Sequence, residues 1–164
     1  MKRQLLLIIV IILLAACNPT QTQGPTPNST PDVANAAYLP KPSLTPGDAL
    51  DVTPTDFCVP GYSSKVRDVP ESVKNQAYDE YGITSHQPNQ YEVDHLISLE
   101  LGGSNSIKNL WPESYTGDWN AHIKDKLENK LHDLVCGGQL DYKQAQHEIA
   151  TDWIAAYKKY IGQP

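Results

Sequence analysis

Residues 91–112 read YEVDHLISLELGGSNSIKNLWP, and this stretch decides the fold. Residues 91–101 form an apolar, strand-like run carrying Asp94 and His95. Gly102-Gly103-Ser104-Asn105 supplies turn chemistry, and residues 107–111 make a short partner strand. A helical stripe follows. Strand, loop, strand and helix is the order of a ββα unit. It brings together a carboxylate (Asp94), an imidazole (His95) and a carboxamide (Asn109), the side-chain types that hold a hard divalent cation beside a general base. Asp94-His95 alone would be no more than a strand-end pair bonding a loop.

Three helices flank this unit. One spans residues 71–81 after Pro70 and stops at Gly82, with Val73, Ala77 and Tyr81 four apart. The next spans residues 118–135, with Trp119, Ile123, Leu127, Leu131 and Leu134 on one stripe before Gly137-Gly138. The last opens with Asp141 and Gln144, a capping-box-like pair, and carries Tyr142, Ala145, Ile149, Trp153, Ala156 and Tyr160. The Trp and Tyr residues on these stripes read as core packing. Residues 57–67, with Pro60-Gly61 as a turn, are expected to add one or two short strands. The fold class is α+β.

Upstream, residues 1–17 read as an export address. Lys2 and Arg3 precede the apolar run Leu5 to Leu14, which is shorter than the roughly 20 residues of a spanning helix. Leu14-Ala15-Ala16-Cys17 resembles a bacterial lipobox, which makes Cys17 the lipidated first residue of an exported protein anchored to a bacterial membrane. An ordinary signal peptide cut near Ala16 is the alternative. Residues 18–47 are rich in Pro, Thr, Asn and Gln and read as a flexible tether. Residues 48–164 form the one globular domain. Cys58 and Cys136 are the remaining thiols, and in an oxidising compartment they are expected to pair. Neither has the neighbours of a zinc finger. Setting Lys2 and Arg3 aside leaves 11 basic against 19 acidic residues, which counts against a simple nucleic-acid binder held by phosphate contacts but leaves room for a nuclease whose binding is weak and metal-dependent.

The ordered series around the hairpin resembles that of HNH endonucleases. The spacing D-H-x6-G-G-x5-N-L-W-P is similar to the first strand, loop and second strand of that family's ββα-metal core. CVPGY followed by Val66 and Arg67, KDKLENKLHDLVC from Lys124, and AQ-x-x-IA-x-DW from Ala145 extend the likeness to small exported members. It covers most of residues 57–160. The resemblance implies that Asp94 is a metal ligand, His95 the base that activates water, and Asn109 a ligand or loop-fixing residue. It also implies Mg²⁺ (or Mn²⁺) as cofactor, nucleic acid as substrate (DNA before RNA), and 5′-phosphate products.

Many members carry a last His on the helix. His122 is the candidate here, whereas His132 lies about 15 Å of helical rise further on. His86 and His147 belong to no motif and read as surface residues. Lys124 reads as a solvated helix residue pairing with Asp125 and Glu128, or as a phosphate contact. Glu100 and Glu113 are second-layer carboxylates or surface residues. The expected function is metal-dependent phosphodiester hydrolysis by a lipid-anchored envelope protein. The alternative is a non-catalytic lipoprotein that uses the HNH scaffold to bind a partner.

Mass spectrometry of the mature, unreduced protein is expected to find a lipid adduct on Cys17. Neither Cys58 nor Cys136 should be open to alkylation before reduction.

Overall fold

The computed structural model describes residues 38–164, so the expected leader, Cys17 and the tether before residue 38 lie outside the described residues. Their order is α1 (Pro54–Phe57), α2 (Tyr62–Val66), α3 (Glu71–Glu80), β1 (Tyr91–His95), β2 (Leu110–Ser114), α4 (Ala121–Cys136) and α5 (Tyr142–Tyr160). The architecture is α+β, helices around one two-stranded antiparallel sheet. Asp94 stands opposite Trp111, His95 opposite Leu110 and Glu92 opposite Glu113.

The three long helices fall close to where the apolar stripes place them, except that α4 starts at Ala121 behind the Asn120 cap rather than at residue 118, so Trp119 packs from the segment before it. Leu127, Leu131 and Val135 of α4 meet Ile149, Trp153 and Ile154 of α5 in the core. Trp119 packs edge-on to Trp153 and Tyr157, with ring centroids 5.8 and 5.4 Å apart. Helix α5 breaks at Asp152, whose carboxylate accepts from Ala155 N at 2.9 Å and so caps the second segment. No helix among the described residues is long and apolar enough to cross a membrane.

The structure corrects the sequence reading in three places. β1 ends at His95 rather than at residue 101, and Leu99–Leu101 and Ile107–Asn109 are single 3-10 turns. The loop is held by side chains instead of a ladder, because Asn109 bonds the backbone of Ile97 on both sides. Residues 57–67 contain no strand: α1 ends at Phe57, residues 58–61 form a turn, and α2 runs over Tyr62–Val66. Thr53 and Asp56 form a capping box over a helix that starts at Pro54, and Gly61, at φ 79°, begins the next. The domain also starts earlier than residue 48. Thr45, 1% exposed, donates to the Leu110 carbonyl at 3.0 Å, and the Trp153 indole donates to the Tyr38 carbonyl at 3.0 Å.

Cys58 and Cys136 are joined, with Cα atoms 5.7 Å apart. The bridge ties the α1–α2 junction to the end of α4. Closing a loop of that length is worth about 4 kcal/mol by chain-entropy reasoning.

The paired glycines act by close approach. Gly102 sits at φ 81°, and Leu50 N donates to its carbonyl at 2.9 Å. A Cβ on Gly103 would lie 1.8 Å from the Ile97 carbonyl oxygen, a separation no side chain tolerates. Gly103→Ala is therefore expected to destabilise the domain by roughly 3 kcal/mol or more, read as a lower urea midpoint.

Candidate active site at the hairpin

The end of β1 splits two adjacent side chains between two neighbours. Consecutive strand residues point to opposite faces. Accordingly Asp94 turns to α4, while His95, the last residue of the strand, turns to the glycine loop.

On the loop side, His95 Nε2 lies 2.9 Å from Asn105 Oδ1. The orientation of that amide is fixed, since Asn105 Nδ2 donates to the Val66 carbonyl at 2.8 Å. Oδ1 is an acceptor, so Nε2 must carry the proton and Nδ1 the lone pair. Nδ1 is buried and has no hydrogen-bond partner among the described residues. Burial holds the imidazole below its ordinary range, outweighing the opposing pull of Asn105 and Asp94, and the nearby Arg67 charge acts in the same direction as burial. His95 is thus a neutral imidazole with a defined tautomer and an unengaged basic nitrogen.

On the helix side stands a buried cation. Lys124 Nζ donates to Asp94 Oδ2 at 2.6 Å, to the His95 carbonyl at 2.8 Å and to Glu128 Oε1. Its side chain is 0% exposed. Burial works to strip its proton, but Asp94, Glu128 and Glu113 together hold its value well above the usual lysine range. Burial also works to raise Asp94, yet the Lys124 charge and hydrogen bond carry it below the usual carboxylate range.

Glu113 completes the cluster. It lies diagonally across the pair from Asp94, on the same face of the sheet. It is 1% exposed, and neither carboxyl oxygen meets an N–H or hydroxyl donor among the described residues. Burial and the Asp94 charge push it well above the ordinary glutamate range against the opposing pull of Lys124, and so favour its neutral form. Burial pushes Glu128 up to about 8 against the pull of Lys124. One ammonium cannot neutralise three buried carboxylates, and Asp94 keeps the negative charge.

The remaining sequence candidates lie outside this arrangement. Asn109 is 0% exposed and wholly committed. Its Oδ1 accepts from Ile97 N at 2.9 Å and Asp48 N at 3.3 Å, and its Nδ2 donates to the carbonyls of Ile97 and Ser104. Of the two roles expected for it, the loop-fixing one is present; as a metal ligand it has no lone pair to offer. His122 is exposed, its ring against Tyr115 and its Nδ1 3.9 Å from Asp125. Lys124 is neither solvated nor free to meet a phosphate. The ligand atoms of Cys58, His132 and Cys136 lie within 4.8 Å of one another, but the sulfurs are bonded to each other and offer no thiolate.

This donor set does not fit a resident Mg²⁺ or Mn²⁺. Such an ion needs oxygens at about 2.0–2.1 Å and several waters. Here Asp94 is engaged by an ammonium, Asn109 is saturated and His122 points elsewhere.

The role of Asn105 and the burial of Lys124 are not in the sequence reading. Asn105 was assigned only to the turn, and nothing in its spacing marks it as the partner of His95. The burial of Lys124 had a signal, because it sits three residues before Leu127 and seven before Leu131, on the inward stripe of α4. No protein-family model, curated protein or solved structure matches the chain. The likeness to HNH endonucleases therefore rests on its motif residues alone.

Glu113 and Glu128 have folded-state values above their ordinary ones. The stability they contribute is complete below the ordinary glutamate range and is lost as pH rises, for Glu128 through about 8. Glu113→Gln keeps the shape and a donor toward Asp94 but cannot ionise. It is expected to raise the melting midpoint by at least about 4 °C near pH 8 and to change it little near pH 4.

Proposed function

We propose that the chain is an exported, HNH-like hydrolase of nucleic-acid phosphodiesters in which His95 is the general base. The observation that carries this reading is the tautomer lock. The Val66 carbonyl orients Asn105, Asn105 holds the proton on Nε2, and Nδ1 of a neutral imidazole is left as a base beside Asp94. A base of this kind takes a proton from water as its oxygen attacks phosphorus; the P–O bond to the leaving 3′-oxygen breaks, and that oxygen takes a proton from solvent, the base contributing about 10²–10⁴-fold. Arg67, exposed and with its charge felt at His95, is suited to offset the phosphate charge. The net charge of −6 calls for weak substrate binding that is lost as salt rises. The apolar leader and Cys17 would keep this activity at the cell envelope.

One observation favours the second reading, a binding scaffold without catalysis. His95 is 1% exposed, so Nδ1 meets water or substrate only if its cover opens. Cleavage assays at low salt separate the two, using plasmid DNA and single-stranded RNA, each with chelator and with Mg²⁺ or Mn²⁺. The hydrolase reading expects turnover that falls by about 10²–10⁴-fold in His95→Ala. It also expects Asn105→Ala to shift the acid limb of the rate profile to lower pH, because the Asn105 hydrogen bond raises the His95 value. Retained nucleic-acid binding with no cleavage in any condition would assign the scaffold role instead.

A further inference from the structure

The groups around Lys124 are those that a small cation would draw from this hairpin. Asp94 Oδ2 comes from β1, the His95 carbonyl from the strand end, and Glu128 from the next turn of α4, with the Glu113 carboxyl beside Asp94. Three N–H bonds of one ammonium meet three oxygen acceptors, which uses every donor that lysine has. The side chain is wholly buried and its stem lies on the inward stripe of α4 with Ala121, Leu127 and Leu131. An ion entering the cluster would have to displace an ammonium whose side chain is 0% exposed, or share the oxygens with it against like-charge repulsion.

We propose that Lys124 is the resident cation of this site. Its ammonium bridges β1 and α4 from the place a divalent ion would take, so the domain folds and keeps its hairpin without binding Mg²⁺ or Mn²⁺. A single positive charge on a covalent stem does the structural work of a metal, and it cannot be lost to a chelator. The inference concerns cation occupancy and is independent of whether the site hydrolyses anything.

The test is calorimetric titration of the full-length protein, in detergent, with MnCl₂ and with MgCl₂, alongside melting curves with and without EDTA. The parent is expected to give only heats of dilution and a midpoint that EDTA does not move. Lys124→Ala leaves the carboxylates facing one another without a cation. It is expected to gain saturable one-to-one Mn²⁺ binding and a midpoint raised by Mn²⁺, and both gains should vanish in Lys124→Ala/Asp94→Asn. A parent that binds one equivalent of either ion, and loses it in Asp94→Asn, overturns the proposal. So does a Lys124→Ala protein of native circular dichroism that binds no Mn²⁺ and melts as the parent does. If Lys124→Ala folds in neither condition, the parent titration decides alone. Because none of these readouts is cleavage, a protein that hydrolyses nothing can still satisfy or fail each one.

Discussion

A lysine ammonium withdrawn completely from water has to have its charge answered by neighbours, and the Lys124 cluster imposes that demand on every element around the hairpin. Asp94 supplies the compensating charge from β1, Glu128 lies one turn along α4, and the His95 carbonyl takes the third N–H. The helix is thereby bolted to the end of the strand at the residue where the chain must leave the ladder. Removing one partner of such a cluster leaves a buried charge uncompensated, typically at about 3–5 kcal/mol. The same constraint reaches across the sheet. With one cation and three carboxylates, Glu113 has to stay protonated. Its neutrality in turn permits Glu92 directly opposite it, where two ionised side chains would repel. Glu92 takes its own hydrogen bond from the Tyr115 hydroxyl at 2.9 Å.

Two carboxamides, four residues apart in the loop, do different things with the same chemistry. Asn109 spends all its hydrogen-bonding capacity on backbone, standing in for the ladder that β1 gives up after His95. Asn105 divides its capacity between the Val66 carbonyl and the His95 imidazole. Val66 closes α2, and the Cys58–Cys136 bridge lies just before that helix. The chain thus runs from a covalent staple into α2, and two hydrogen bonds lead from the end of α2 through Asn105 to one ring nitrogen of His95.

The sequence made much of this legible, and the residues it left obscure share a physical cause. Periodicity located α3, α4 and α5, because a stripe of apolar side chains records the direction of the core. The hairpin and its glycine loop were legible because Gly102 and Gly103 answer local demands of backbone geometry. The ends of β1 and β2 were not, since they depend on where Asn109 replaces strand pairing. Residues 57–67 were expected to add short strands around Pro60-Gly61, yet the Thr53–Asp56 capping box, just outside that window, starts a helix that ends at Phe57, and Gly61 starts a second at Tyr62. The burial of Lys124 and the protonation of Glu113 depend on charges from three separate elements, which no local window contains. Asn105 illustrates the same limit, because its partners Val66 and His95 are 39 and 10 residues away.

The resemblance to HNH endonucleases has to be weighed against this electrostatics. A pattern of Asp, His and Asn around a glycine loop describes a hairpin that can present a carboxylate to a metal, and equally one that can present it to an ammonium. What separates the two is the residue facing the strand from the helix, and here it is a lysine on the buried stripe of α4. A divalent ion binds only as its concentration in the surroundings allows, whereas a cation carried on the chain is delivered with the fold. It also alters what His95 must do. Under the hydrolase function proposed for this site, the basicity of Nδ1, its tautomer and the Arg67 charge are what it would bring to a phosphodiester, and the lock through Asn105 secures the tautomer.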